Sequence, residues 1–244
     1  MISFIIDNMP RFLDGLFLTI QLALFSCVLG FMIALPVALA RLSKNTVLFS
    51  LATGYVFFFR GTPLLAQIFL IYYGSGQFRG FLSDIGLWSF FREPWFCAVL
   101  SLALNTGAYT SEILRGGIAA IPKGEIEAGK ALGLSWLLRL RLIVLPRAIR
   151  IAWPAYSNEV VYQIQATSLV SIITIMDVTG VARAIGSRDF TFYQAFGVAA
   201  VLYLVLVYGF LLLSRRIERR LSRHLNRDTS EAPELPDVAA GLIR

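Results

Sequence analysis

The chain has 244 residues, 57% hydrophobic and only 15% charged, with a formal net charge of +7 and a mean hydropathy of +0.70. Soluble domains carry roughly 25% charged residues, so the composition excludes an ordinary soluble domain and predicts an all-α, polytopic membrane protein. The single histidine, His224, argues against His-based catalysis or metal binding, and Cys27 and Cys97 lie in apolar runs as packing residues, not as a disulfide or metal pair.

No cleavable signal is expected, because the N-terminus lacks a basic n-region and the first apolar run is too long for an h-region. The expected permease domain is 1–225, with five spans. Span one covers about 12–40, long enough to cross a core of roughly 30 Å with tilt or a bend at Pro36. Span two covers about 46–73 and is interrupted at Arg60, Gly61, Thr62 and Pro63. A Gly-rich, aromatic loop from Gly74 to Pro94 leads to span three at about 95–114. Span four is expected at about 152–175 and span five at about 193–214. A polar tail, 226–244, reads as disordered.

The basic residues set the expected orientation. With the N-terminus outside, the inside segments hold Arg41 and Lys44, seven basic residues from Arg115 to Arg150 and seven from Arg215 to Arg244. Outside are Arg11, Arg79, Arg92, Arg183 and Arg188. The positive-inside rule therefore predicts an extracytoplasmic N-terminus and a cytoplasmic C-terminus. The net charge reports topology, not nucleic-acid binding. Arg215, Arg216, Arg219, Arg220 and Arg223 are expected to anchor span five at anionic headgroups.

Between spans three and four lies a stretch too polar for lipid. Lys123–Arg150 carries Lys123, Lys130, Arg139, Arg141, Arg147 and Arg150 with Glu125 and Glu127. The pattern Glu127, Ala128, then Gly133, then Ile143, Leu145 and Pro146 resembles the EAA loop of ABC importer permeases, except that Gly129 stands where that family usually has a second alanine. FRGTPLLAQ (59–67), NTGAYTSEILRGGI (105–118) and IPKGEIEAGKALG (121–133) are similar to the polar amino acid permeases of that superfamily. PAYSNEVV (154–161) and AFGVAAVLYL (195–204) look closest to its histidine, basic amino acid and opine branch. The resemblance covers about residues 12–225.

It implies a type I ABC importer permease fold in a bacterial inner membrane, with the loop at about 121–147 as a cytoplasmic coupling helix. The implied partners are a second, similar permease (a heterodimer), two cytoplasmic ATPase subunits and a periplasmic substrate-binding protein. The implied cargo is a cationic amino acid (arginine, lysine, ornithine or histidine) or an opine. Glu127, Ala128, Gly133, Ile143, Leu145 and Pro146 would carry the ATPase coupling. On physical grounds, Glu125 and Glu127 suit the N-terminal end of a short helix, Ala128 and Ala131 offer a small face, and Gly133 allows a sharp turn.

Gly124, Gly129 and Lys130 also fit the spacing of a phosphate-binding loop. The following residue is Ala131 where a Ser or Thr is needed for magnesium, and no strand precedes. No cofactor is therefore expected in this chain; ATP and Mg would sit on the partner ATPases, and the chain itself would be no enzyme.

Polar residues within spans mark cavities or helix contacts. In span four, Asn158, Gln165 and Ser168 fall near one face, Glu159 and Gln163 are four residues apart, and Thr167 follows. Span three offers Asn105, Tyr109 and Glu112. Both sets suit either a translocation path or inter-subunit hydrogen bonding. Arg60, about 20 Å into span two, suits either an ion pair with an intramembrane acid or substrate contact, and should not face lipid. Two rival classes compete. An ion-coupled secondary transporter commonly shows an internal repeat, which is not visible here. A membrane enzyme would need a catalytic cluster, and Glu112 and Glu159 are too few to argue a reaction.

Overall fold

The structure is a computed structural model, and it describes residues 2–221. The 226–244 tail, Arg223 and His224 lie outside the described residues. Within them every regular element is helical. Helix α1 spans Ile2–Arg41 without interruption, with Pro10 and Pro36 inside it. Helix α2 (Thr46–Gly61) starts where the Asn45 side chain accepts the amides of Val47 and Leu48 at 2.9 and 3.3 Å, the standard way to satisfy orphan N–H groups.

Helix α3 (Leu64–Ser75) follows after only Thr62 and Pro63. Its direction differs by 104° from that of α2, taken over Leu64–Asp84. The sequence treats 46–73 as one interrupted span; the structure makes it two helices turned sharply apart. Pro63 cannot donate an N–H and biases Thr62 to an extended conformation. The region expected as a plain loop, 74–94, is largely helical turns: Gly76–Phe78, then α4 (Arg79–Asp84) and α5 (Trp88–Phe91).

Helix α6 (Pro94–Ala119) is the hub, packed on α1, α2, α3 and α9. It is less apolar than α1, and its small and polar residues, among them Ser101, Thr106, Gly107 and Ser111, are buried against neighbouring helices. At its crossing with α1, a Cβ on Gly30 would lie 2.4 Å from the Thr106 methyl and 3.2 Å from the Ala103 carbonyl. Small residues allow this backbone approach.

Three short elements form the polar connection: α7 (Lys123–Ala131), α8 (Trp136–Arg139) and a π-helical turn at Leu140–Val144 that runs into α9 (Leu145–Ala166). The helix of span four thus begins seven residues before the expected start. A 3-10 segment, Thr167–Ile173, and the left-handed Thr174 lead to α10 (Val178–Asp189). Buried Asp177 caps α10, accepting the Gly180 amide at 2.9 Å, and Tyr203 of α11 donates its hydroxyl to the same carboxylate at 2.9 Å. Helix α11 (Phe192–Leu221) closes the described chain.

By length and apolarity alone, α1 (over Phe4–Arg41) and α11 suffice to cross a membrane. Two bent pairs do so only if each is a single span: α2 with the Leu64–Asp84 segment, and Trp136–Ile173 with α10, bent by 46°. One apolar core joins Leu22, Ile68, Leu102, Val170 and Ile173; another joins Phe12, Val178, Ala182, Ile185 and Ala195. Cys27 is half-buried, Cys97 is buried, and both are free thiols.

Candidate functional site

The break between α2 and α3 organises the polar interior. Because Pro63 has no N–H, the Phe59 carbonyl four residues before it loses its helical donor. Gln67 Nε2 fills the vacancy at 2.9 Å and also reaches the Thr62 carbonyl at 3.1 Å and the Thr62 hydroxyl at 2.8 Å. Asn105 Nδ2 of α6 donates to the same Phe59 carbonyl at 3.1 Å and to Gln67 Oε1 at 3.0 Å. A broken helix inside a membrane protein needs this kind of cover. The sequence reading overlooked Gln67, although its position four residues after Pro63 was the available signal.

Beside this clamp, Glu112 gathers basic side chains from three helices. Arg41 of α1 donates to Glu112 Oε1, and Arg115 pairs with it through Nε at 3.1 Å and Nη2 at 3.1 Å. Arg60 of α2 lies farther off, at 4.0 Å, with its side chain 43% exposed. Its guanidinium sits 5.1 Å from the Tyr109 ring centroid, a cation–π geometry. Glu112 is thus held mainly by Arg41 and Arg115, leaving Arg60 with donors to spare. The sequence treats Arg41 and Arg115 only as loop charges; Arg115 lies three residues after Glu112 on one helix, which was the available signal, whereas Arg41 is 71 residues away and nothing local ties it to Glu112.

Arg41, Arg60, Tyr109 and Glu112 line a cavity of about 420 Å³, with Thr53 also on its wall. Arg41 Nε and the Thr53 hydroxyl are buried there without a hydrogen-bond partner among the described residues. Tyr109 also lines a neighbouring cavity of about 250 Å³, whose wall includes Asn105, Glu159, Tyr162 and Gln163. The two cavities share Tyr109 and differ in charge: arginines dominate the first, and Glu159 is the charged residue of the second.

The polar residues of α9 divide by face. Glu159 accepts the Thr106 hydroxyl at 2.9 Å and borders its cavity. Gln163 is buried and donates to the Ser26 hydroxyl at 2.8 Å. Thr167 is buried, its hydroxyl donating to the Ile164 carbonyl at 2.7 Å. Asn158 and Gln165 are exposed and line neither cavity. Asn105, Tyr109, Glu112, Glu159 and Gln163 therefore come together around the adjoining cavities. Asn158 and Thr167 do not join them.

In the connecting loop, Gly133 adopts φ +70°. Its amide bonds to the Lys130 carbonyl at 2.9 Å, and the Leu134 amide to the Gly129 carbonyl at 3.1 Å, a Schellman ending of α7 that favours glycine at this position. Ser135 then caps α8 by accepting the Leu138 amide at 3.4 Å. Glu125 is tied to Arg147 of α9 at 3.2 Å. Gly129 is buried, and a Cβ there would lie 2.7 Å from the end of the Ile143 side chain and 3.2 Å from that of Arg139. Ile143 thus packs under α7 and supports it, while Glu127 and Ala128 are exposed on the outer side. Leu145 is half-buried and Pro146 exposed at the start of α9. Leu132, Trp136 and Leu137 are 78%, 62% and 65% exposed, so the loop presents an apolar, uncovered surface. Among the described residues no group of His, Cys, Asp or Glu is arranged to hold a metal ion.

Residues 26–223 match the family model of the binding-protein-dependent transport system inner membrane component. The chain is 55% identical over 207 residues to the nopaline transport system permease protein NocM of Agrobacterium fabrum, covering 85% of this chain and 86% of that protein. It is 41% identical over 211 residues to the histidine/lysine/arginine/ornithine transport system permease protein HisM of Escherichia coli, covering 86% and 89%. A crystal structure of an amino acid ABC transporter with histidines superposes with a TM-score of 0.76 at 31% identity, covering 88% of this chain and 96% of that one.

Proposed function

Because the chain belongs to the binding-protein-dependent transport system inner membrane components, the permease subunits of ABC importers, we propose that it carries a cationic amino acid or an opine across the inner membrane. The observation that supports this cargo is the pair of cavities meeting at Tyr109, one basic at Arg60 and one acidic at Glu159. Every amino acid zwitterion offers a carboxylate, and arginine, lysine and ornithine add a side-chain cation. In our reading Glu159 receives the cation and Arg60 the carboxylate. The relatives named for nopaline and for histidine, lysine, arginine and ornithine point to the same chemistry.

The chain would cross the membrane five times, with α2 and α3 together forming one crossing and α9 with the 3-10 segment another. The excess of basic residues beside α1, around α7 to α9 and at the end of α11 supports a periplasmic N-terminus and a cytoplasmic C-terminus. On the cytoplasmic side, α7 and the exposed Leu132 and Trp136 would dock on an ATPase subunit. The working transporter would hold a second permease, two ATPases that bind ATP and Mg, and a periplasmic binding protein.

Closure of the ATPases on ATP would draw the coupling helices together and open the permease pair outward. Hydrolysis would return it to the inward state, so ATP biases two rigid-body states unequally. Glu127 and Ala128 form the contact face in this scheme, Gly133 ends the helix, and Ile143, Leu145 and Pro146 hold it to α9.

The test is uptake by the intact transporter reconstituted with its binding protein. Labelled arginine, histidine, nopaline, octopine and glutamate would be supplied with and without ATP in the ATPase-facing compartment. ATP-dependent uptake of a cationic amino acid or opine is the expected result. Uptake driven by an ion gradient without ATP would overturn it in favour of a secondary transporter.

A further inference from the structure

A different kind of cavity lies between α1, α9 and α11. This groove, of about 860 Å³, is lined almost entirely by apolar side chains. On α1 its wall runs from Leu16 to Met32, about 24 Å of helix at 1.5 Å per residue against a hydrocarbon core about 30 Å thick. Val28, Val160 and Leu213 represent its three walls. Gly209 forms part of the α11 wall, and a Cβ placed there would meet nothing within 4 Å. The chain leaves this space to something other than itself.

One end of the groove is chemically distinct. There Trp153 of α9 donates its indole N–H to the Ser214 carbonyl of α11 at 3.3 Å, and tryptophan is a ring type that favours the membrane–water interface. Beyond it the apolar stripes turn basic. Arg150 precedes Trp153 by three residues, and Arg216 and Arg220 follow Leu213 by three and seven. Such spacings keep residues on one helix face. Arg216 and Arg220 are exposed and Arg150 is half-buried. Among the described residues none of the three is in an ion pair. Glu218, the acid of that turn, lies two residues from both Arg216 and Arg220 and so projects from another face.

We propose that this groove binds one anionic phospholipid, with an acyl chain along α1, α9 and α11 and the phosphate at Arg150, Arg216 and Arg220. A zwitterionic amino acid finds no charged partner among the groove's aliphatic and aromatic walls, and a neutral lipid would leave the three guanidinium groups without an anion. The combination of apolar length and basic end matches a negatively charged lipid. The site is separate from the Arg60 and Glu159 cavities and does not depend on which solute is transported.

The intact transporter, with its partner subunits, would be placed in nanodiscs of equal phosphatidylglycerol and phosphatidylcholine and released for native mass spectrometry. Phosphatidylglycerol should be retained in preference to phosphatidylcholine. Loss of each arginine should weaken retention roughly fivefold, the usual worth of a basic side chain near an anionic surface, so R216Q/R220Q should largely remove the preference. Gly209→Phe should displace the lipid by filling the groove, and the exposed arginine pair keeps the test decisive if that variant does not assemble. Equal retention of the two lipids overturns the proposal, as does a phosphatidylglycerol preference untouched by either variant. Failure to retain lipid, together with a cross-link to another subunit from a maleimide–diazirine reagent attached at Gly209→Cys in a Cys27→Ser background, would show a protein occupant and also overturn it.

Discussion

Asn105 of α6 donates its side-chain amide to the Phe59 carbonyl of α2 at 3.1 Å, the acceptor that Pro63 deprives of its helical partner. A residue picked out for a transport path thus also repairs a broken backbone. Asn105→Leu should leave the clamp half-made and cost about 1–3 kcal/mol, the usual penalty for a buried polar group left unpaired. Gln67→Leu should do the same, and the two together should be less than additive because they share one network. Thermal unfolding of the purified transporter checks this; unchanged midpoints for both single variants would sink the clamp.

Glu112 and Arg60 should respond very differently to neutralisation. Glu112→Gln leaves Arg41 and Arg115 without their carboxylate; because the cluster is partly exposed, the cost should be about 1–3 kcal/mol, that of lost charge-assisted hydrogen bonds. Membrane yield and melting temperature should both fall. Arg60 is 43% exposed and 4.0 Å from Glu112, so Arg60→Gln should change stability by less than about 1 kcal/mol while lowering uptake. Comparing membrane yield, melting and uptake for the two variants separates the roles; equal yields would argue against a structural Glu112 cluster.

Among the described residues Glu159 accepts only the Thr106 hydroxyl, which leaves it acceptor capacity for a cation. A hydrogen bond to a charged group is worth about 1.5–3 kcal/mol, so Glu159→Gln should reduce uptake of a cationic substrate by roughly ten- to a hundredfold. ATPase activity without substrate should persist. Initial uptake rates over a substrate series provide the measurement, and full retention of arginine transport would remove Glu159 from the path.

At Gly133 the left-handed backbone limits the choice of side chain. Left-handed geometry costs most residues about 1–2 kcal/mol, with Asn among the best tolerated. Gly133→Asn should therefore be mild. Gly133→Asp adds negative charge at the unfavourable end of α7 and should lower substrate-stimulated ATPase activity and uptake together. An aspartate variant with wild-type coupling would count against the assigned role of this turn.

How much was legible depended on distance along the chain. The Gly133 turn and the break after Arg60 follow from Gly and Pro rules acting within a few residues, so the motif itself carries them. The sharp 104° divergence of α2 and α3 does not, because Pro63 breaks a helix without specifying where its second half goes. On α9 the spacing of Glu159 and Gln163 was plain, yet their partners were not: Gln163 meets Ser26, 137 residues away, and Glu159 meets Thr106, 53 away.

The sequence by itself determined the membrane class, through hydropathy, and pointed to the family through the resemblance of the run from Glu127 to Pro146 to that family's loop, which the family match bears out. Tertiary packing alone decided that Asn105 covers the Phe59 carbonyl, that Arg41 reaches Glu112 from α1, and that Glu159 lines a cavity wall while its neighbour Asn158 does not. Local backbone preference and helical period can be read from neighbouring residues. Which buried donor finds which acceptor depends on helix crossings, and in this chain those are set by close approaches such as Gly30 against Ala103 and Thr106.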